Sequence, residues 1–465
     1  MKKNKTLGIV ITDGVGYRNF VLSNFLKEAS LTFKHVIVYS GLPIHTFKDV
    51  SLPNITLIEL PIYKETNSVW FFRKLKEVAH MQKHKSFYGI NSNLRRGYPQ
   101  NNSKRSLLIK LVYFITSIFN SEKNISFFES LQFSSFKKSS KYKEYVSILK
   151  DNKPDMVFFT HQRPPFLAPF LVASKELLIK TTSFIFSWDN LASKGRMLGE
   201  FDNYLVWSDL MKDELLYFYP KTKPNKVEVV GTPQFEPYVM DIFKVDKKSF
   251  FTKFNLDITK NIICYSCADA GIGANDEIHI RSVYKYIINN PDKSLQLLIR
   301  TSPAEDGSRF KQLKEDTPKA IWNFPKWEQT REEHVESWSQ RLPTREDVID
   351  LKSILQYCCL NINMCSTMSL DFMLFDKPVI NTVFGNSSNG LYDDQKFLNY
   401  VHYKYVIDSK AVTIAKNEEE LHEQIDEALT LTDLRKNYRK NLINLEIGKP
   451  LEGTSNRIVE ALKSF

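Results

Sequence analysis

The chain has 465 residues, too many for one ordinary hydrophobic core, so two or three domains are expected. Its composition, 42% hydrophobic and 25% charged, excludes a disordered chain, and no apolar run reaches the ~18–20 residues that span a bilayer. A formal net charge of +11 favours an anionic partner, whether nucleic acid, phospholipid or phosphorylated substrate, without choosing among them.

The start, "MKKNKTLGIVITDG", is basic, but its apolar run is short before Asp13. It reads as a first strand, not a signal peptide, and a cytoplasmic protein is expected. "DGVGYRNF" follows as a glycine-containing loop, then "VLSNFLKEA" at helical spacing, then the apolar runs "HVIVYS" and "ITLIEL". A basic insertion, about residues 66–145, interrupts this alternation. It resumes with strands in "DMVFFTH", "TSFIFSW", "NYLVWS" and "KVEVVG" and helices around "LAPFLVASKELL" and "LMKDELLYFY". Residues 241–258, charged and rich in Phe, read as a linker. Strand runs return at "NIICYSCA", "LQLLIRT", "AIWNF", "CCLNINM", "KPVINTVF" and "YVIDS", and the end from "NEEELHEQIDEALT" is helical. All five cysteines (Cys264, Cys267, Cys358, Cys359, Cys365) fall in this half. "CYSC" has a metal-like spacing, but no second pair or nearby histidine completes a tetrahedral site, so buried free thiols of a reducing compartment are expected. Short, continuously apolar strands between helices predict parallel sheets covered on both faces. The expected architecture is α/β: two Rossmann-like, doubly wound parallel-sheet domains, 1–240 and 259–465, facing an interdomain cleft.

In such folds ligands collect beyond the carboxyl ends of the strands, where helix N-termini attract anions. Residues directly after strands are therefore the candidates. In the first domain these are Asp13, on a loop whose Gly14 and Gly16 permit close approach of a ligand; His161, whose imidazole suits general-base work near neutrality; and Asp189. Arg18, Asn190 and Lys194 are candidates for acceptor or phosphate contact. Plainer readings stand beside them: a turn-forming Asp13-Gly14, a His161 packed on Pro164 and Pro165, an Asp189 helix cap. In the second domain Arg300, Thr301 and Ser302 end a strand with a forked cation and hydroxyl donors, a set suited to a diphosphate. The alternative is an Arg300 salt bridge to Glu305 or Asp306. In "MCSTMSLDFMLFDKPVIN", Ser366 and Thr367 open a helix and Asp371 follows one turn later, where a carboxylate can accept from a vicinal diol such as ribose, or else support the helix start.

The segments "LLIRTSPAED", "STMSLDFMLFDKPVIN", "HYKYVIDSKAVTIAKNEEELHEQI" and "SWDNLASKGRM…NYLVWSDLMKDEL…VEVVGTPQFEPY" together resemble bacterial GT-B glycosyltransferases of surface-polysaccharide (capsule and O-antigen) clusters. They are also similar to CDP-glycerol glycerophosphotransferases and nucleotide-sugar 2-epimerases. The resemblance covers roughly residues 155–465 and the first strand and loop; residues 60–150 lie outside it. It implies that Ser366 and Thr367 bind the donor diphosphate and Asp371 the ribose, although the family usually has Glu there. Where family members often carry His-Pro after the Arg strand, this chain has Ser302-Pro303. In an inverting enzyme of this kind Asp13 is the first choice as base, ahead of His161 and Asp189. No metal-binding DxD signature stands out. No cofactor and no metal are expected, and leaving-group charge would fall to Arg300, Lys194 and helix amides.

Between Arg73 and Lys110 stand ten Lys or Arg residues and one acid, Glu77, with Phe87, Tyr88 and Tyr98 interleaved. "SLLIKLVYFITSIF" follows, placing Leu108, Leu111, Val112, Ile115, Ile118 and Phe119 on one helical face. Residues 73–119 are thus expected to contact an anionic membrane, peripheral on the inner face of the cytoplasmic membrane; a core helix with a solvated basic loop is the plain alternative. No nucleic-acid motif accompanies the charge. The expected function is metal-independent transfer of a sugar from a nucleotide-sugar donor to a hydroxyl of a surface glycan linked to polyprenyl diphosphate or lipid A. The alternatives are a nucleotide-sugar 2-epimerase, a CDP-glycerol glycerophosphotransferase, or a non-catalytic membrane scaffold.

Overall fold

The computed structural model describes residues 4–334, 336–386, 393–430 and 434–465. They divide into two compact units, Met1–Glu236 with Gln329–Leu342 and Glu446–Phe465, and Pro237–Glu328 with Pro343–Leu445.

The first unit is built on strands β1 (Thr6–Ile11), β2 (His35–Ser40), β3 (Ile55–Glu59), β4 (Met156–Phe159), β5 (Lys180–Phe184), β6 (Asn203–Val206) and β7 (Val227–Val229). They form one parallel sheet in the order β3-β2-β1-β4-β5-β6-β7. The strand order reverses between β1 and β4, whose ends are level through the pairs Val10↔Phe159 and, on the other side, Ile11↔Ser40. Helix α1 (Gly14–Phe20) leaves β1 directly, and α2 (Phe25–Thr32) follows it. The C-terminal helix Thr454–Ser464, which the sequence pattern grouped with the second domain, packs on α2.

The second unit repeats the plan with β8 (Asn261–Ser266), β9 (Leu295–Arg300) and β10 (Ile321–Asn323), then, after the short strands β11 (Trp327–Gln329) and β12 (Arg341–Pro343), β13 (Leu360–Asn363), β14 (Val379–Thr382) and β15 (Thr413–Ala415). Its sheet is parallel, in the order β10-β9-β8-β13-β14-β15, and reverses between β8 and β13. Ile263, Tyr265, Ile299, Ile362 and Ile380 fill its core with Val283 from a covering helix. Both strand orders are those of a dinucleotide-binding sheet, which accounts for the continuously apolar strands. Two readings are corrected. The expected loop "DGVGYRNF" is helix α1 from Gly14 onward, with Asp13 as its N-cap. "YVIDS" lies in the helix Val401–Asp408, where Tyr403 and Val406 are buried at helical spacing, and the strand comes later, at β15. A short apolar run alone does not separate strand from buried helix.

The insertion is helical: α3 (Asn67–Lys83), α4 (Tyr88–Arg96), α5 (Lys104–Ile118), α6 (Glu122–Phe136) and α7 (Ser140–Asn152). Leu75, Val78, Leu94, Val112, Ile125 and Phe128 give it a core of its own. The predicted apolar face of α5 is divided by the fold. Val112 is buried and Ile115 packs against the core, whereas Leu108, Leu111, Ile118 and Phe119 face solvent, joined by Leu107 and Phe114. The basic run is also only partly solvated. Arg73 pairs with Glu65 and Glu77, and the fully buried Lys76 donates to the Leu198 carbonyl at 2.7 Å; Lys85, Arg95, Arg96, Lys104 and Arg105 are exposed. Among the described residues no helix is long and apolar enough to cross a membrane.

Candidate functional site

Each sheet presents its own carboxyl edge. In the first unit, Asp13 ends β1 as N-cap of α1: Oδ1 accepts from the Gly16 amide at 2.7 Å and Oδ2 from the Thr12 hydroxyl at 3.0 Å. Burial raises its pKa, and these donors oppose the rise. Asp13 is therefore a helix cap and not part of the expected turn, which leaves a proton-accepting role compatible with it. Gly14 does permit a close approach, but to the chain itself. A Cβ there would lie 1.7 Å from the Arg341 carbonyl oxygen, so the backbone at Arg341 and Leu342 packs against the start of α1. The segment carries Glu336, whose pKa is raised by burial and then by the charge of Asp13, with Arg73 and Arg163 opposing. The Glu336 carboxyl thus feels the charge of the buried Asp13 and of two guanidinium groups.

His161 follows β4, beside β1. Its ring stacks on Phe186 at 3.9 Å and 21°, and Nδ1 accepts from the Arg163 amide at 3.1 Å. Burial lowers its pKa well below the ordinary imidazole value, so the ring is neutral with its proton on Nε2. With Nδ1 already engaged, His161 offers a donor and not the free lone pair a base requires. Asp189 accepts from Ser187 Oγ at 2.7 Å and Asn190 Nδ2 at 3.0 Å, and Lys194 Nζ lies 3.5 Å away. Asn190 in turn accepts from Gln162 Nε2 at 3.0 Å, tying the loop after β5 to the loop after β4. Arg18 is half-buried and donates to Asn19 at 3.2 Å. Next to these residues a cavity of about 250 Å³ is lined by Lys74, Glu77, Arg163, Lys194 and Gly195, with an apolar wall from the insertion.

In the second unit the loops after β8, β9 and β13 converge because Ser266 pairs with both Arg300 and Asn363. Arg300 is not available to a phosphate as placed. It is buried, its Nη2 lies 3.0 Å from both oxygens of Asp347, and Nη1 bonds Asn323. The sequence reading anticipated Glu305 or Asp306 as the structural partner; the partner is Asp347, from a helix distant in the chain. Thr301 is buried, and its Oγ1 has no hydrogen-bond partner among the described residues. Ser302 donates to Asp269 in the loop after β8 and accepts from the Ala304 amide at 3.1 Å. After β13, Cys365 adopts a left-handed conformation (φ 49°), a strained turn for a residue with a side chain. The Ser366 amide donates to Asn363 Oδ1 at 2.9 Å, and Ser366 Oγ accepts from the Met368 amide at 3.1 Å. Thr367 opens the short helix Met368–Met373 without a side-chain cap bond. Beneath this turn, Asn361, Asn363, Asn381, Ser369 and Tyr403 form a buried hydrogen-bond network, which explains the asparagines in otherwise apolar strands. Asp371 is buried and accepts from the Tyr238 hydroxyl, so a ribose would have to share or displace that phenol.

The structure therefore brings Asp13, His161 and Asn190 to the ends of neighbouring strands of one sheet, and places Thr301 and Ser302 on one side of β8 and Ser366 and Thr367 on the other at the edge of the second sheet. Sequence reasoning passed over Glu336, Arg163 and Asp269. Arg163 and Asp269 stand just beyond strands and were open to the same rule; Glu336 had no such signal. A separate group of side chains with metal-ligating atoms, His80, His84 and Glu122, lies in the insertion.

No family model matches the chain, and no curated protein matches it in sequence. Solved structures do match in fold. A provisionally assigned UDP-N-acetylglucosamine 2-epimerase of Listeria monocytogenes aligns with a TM-score of 0.57 at 12% identity, over 99% of this chain and 96% of its own. The UDP-GlcNAc 2-epimerase of Methanocaldococcus jannaschii aligns at 0.54 and 12%, over 99% and 100%. The Neisseria meningitidis enzyme bound to UDP-GlcNAc gives the same values, 0.54 and 12%, over 99% and 100%. At such identity the likeness carries the fold alone: the chain is built as two Rossmann-like parallel-sheet domains of the GT-B type.

Proposed function

We propose that the chain is a nucleotide-sugar-dependent enzyme, its second unit taking the nucleotide diphosphate and its first supplying the carboxylates that move a proton. The observation that carries this is the carboxyl edge of the second sheet, where Thr301 and Ser302 after β9 and Ser366 and Thr367 after β13 flank the end of β8, and the buried Thr301 hydroxyl has no hydrogen-bond partner among the described residues. Hydroxyls and main-chain amides there suit phosphate oxygens, and Asp371 suits a ribose diol once Tyr238 yields. At the first sheet, burial raises the proton affinity of Asp13, and burial together with the charge of Asp13 raises that of Glu336, so that one carboxyl can act as acid while the other acts as base.

Two finer readings use this machinery. Epimerisation at C2 of the sugar is favoured by the solved structures of like fold, which include an enzyme holding UDP-GlcNAc. Sugar transfer to a lipid-linked acceptor rests on one observation in this chain, the solvent-facing apolar side of α5 with exposed basic residues beside it. Thermal shift with UDP-, GDP-, CDP- and dTDP-sugars tests the common proposal, and indifference to all of them ends it. With the sugar that stabilises the protein, incubation in D₂O separates the two. Epimerisation replaces the C2 proton with deuterium in the absence of any acceptor. Transfer leaves C2 unlabelled and releases the nucleotide only when an acceptor hydroxyl is supplied.

A further inference from the structure

Two imidazoles and a carboxylate meet inside the helical insertion. His80 lies in the last turn of α3 and His84 caps it, so their spacing of four residues puts both rings on one face. Glu122 opens α6, which packs along α3. One ligand atom from each of the three lies within 4.8 Å of the others. His80 is fully buried and, among the described residues, neither of its ring nitrogens has a hydrogen-bond partner; Nε2 of His84 lacks one too. The rings of Tyr219, 5.5 Å from His80, and Phe218, 5.0 Å from His84, wall the site with apolar surface. Buried ring nitrogens are ordinarily paired, so unpaired imidazoles that each bring one ligand atom to the same carboxylate call for an occupant.

We infer that His80, His84 and Glu122 bind a zinc-class divalent cation, with a fourth position left for water. Two imidazole nitrogens and one carboxylate oxygen form a tetrahedral-type donor set of intermediate softness. Bonds of about 2.0–2.1 Å at tetrahedral angles place ligand atoms about 3.3 Å apart, so the set closes by small rotamer changes. Burial keeps both rings in the neutral, ligating form, His84 being pushed down to about 4. Two cations already touch the carboxylate: Lys83 Nζ lies 2.7 Å from Oε1 and Arg196 Nη2 3.1 Å from Oε2. Lys83 is partly exposed on a flexible stem and can turn to solvent. Arg196 is fixed by the Phe218 carbonyl at 3.3 Å and the Tyr219 ring at 4.3 Å, and stays as an outer partner that orients Glu122. The bound cation would fasten α3 to α6 and so stiffen the insertion that displays α5.

The test uses the untagged, full-length chain stripped with EDTA. Titration with Zn²⁺ is expected to reach one equivalent and to raise the Tm, and Co²⁺ to develop the visible absorption of a tetrahedral centre. His80→Gln and Glu122→Gln should weaken Zn²⁺ by at least the ~100-fold that loss of an outer partner can cost. No uptake by the stripped protein, or equal affinity in His80→Gln, overturns the site and leaves buried water as the partner of these nitrogens. Should His80→Gln fail to fold, Lys83→Met decides the matter. Removing the competing ammonium should tighten Zn²⁺ several-fold, and an unchanged affinity refutes the assignment.

Discussion

At the scale of single residues, Thr301 separates a ligand site from a merely buried turn. Its Oγ1 is enclosed and unpartnered, an arrangement that costs about 1–3 kcal/mol in an empty protein. Valine has nearly the same shape without the hydroxyl. Thr301→Val should therefore raise stability by about 1 kcal/mol in the absence of ligand. It should also weaken the nucleotide sugar about fivefold, since one lost hydrogen bond is worth about 1 kcal/mol. Calorimetric titration and denaturant unfolding read the two effects independently, and opposite signs are the signature of a hydroxyl kept for a ligand. A stability gain with unchanged affinity would mean that Thr301 faces no phosphate. Arg300 offers the contrast: a strand-ending guanidinium of the expected type whose charge the fold has already matched with Asp347. Residue type and position after a strand were legible; which charges the fold neutralises was not, because Asp347 lies 47 positions away.

At the scale of elements, much could be read from local pattern. The run "HVIVYS" is β2, residue for residue, and the apolar runs of both sheets mark their strands because parallel strands are covered on both faces. The candidate site was legible for the same reason: once the strands are placed, their carboxyl ends are placed. "YVIDS" failed because four or five apolar residues suit strand and buried helix alike. The 329–342 segment and the C-terminal helix join the first unit through long-range packing that leaves no local trace, and so Glu336 was missed. Helix α5 shows pattern and fold disagreeing usefully. Its sequence is apolar nearly all round, yet Phe114 is 66% and Ile118 61% exposed. A helix that buries one apolar face and displays another beside Lys104 and Arg105 fits an anionic lipid surface, where each basic residue contributes about 1 kcal/mol and each inserted large side chain about 1.5–3 kcal/mol. Phe114→Glu and Ile118→Glu should each reduce co-sedimentation with phosphatidylglycerol vesicles at least tenfold, with unchanged circular dichroism. Vesicle binding that survives both, or a shift in sedimentation velocity showing the face to be a contact between copies, would remove the lipid assignment.

At the scale of the whole molecule, several buried carboxyl groups set how stability responds to pH. Glu214 and Glu446 in the first unit are each pushed up to about 8, by burial first and then by a neighbouring acid, Asp189 for Glu214 and Glu214 for Glu446. Glu446 Oε1 is buried without a hydrogen-bond partner. In the second unit Asp276 is pushed up to about 7 by burial, against the pull of Arg309. In the unfolded chain these groups have lost their protons well below neutrality, whereas the folded protein retains them until pH 7–8. The folded state thus binds more protons across that interval, and unfolding free energy must fall as pH rises. Buried histidines such as His161 and His279, whose folded pKa values are lowered, act below about pH 6.5 and drop out above it, when the unfolded imidazole is neutral as well. Between pH 6.5 and 8 the protein should therefore lose about 2 kcal/mol of stability, an order-of-magnitude figure for coupled groups whose individual limit is about 1.4 kcal/mol per pH unit. Glu446→Gln removes one titrating carboxyl, so the variant should be no less stable at pH 6.5 and clearly more stable at pH 8. Urea midpoints at the two pH values decide it: parallel lines for wild type and variant would show that the Glu214–Glu446 pair does not govern this limb.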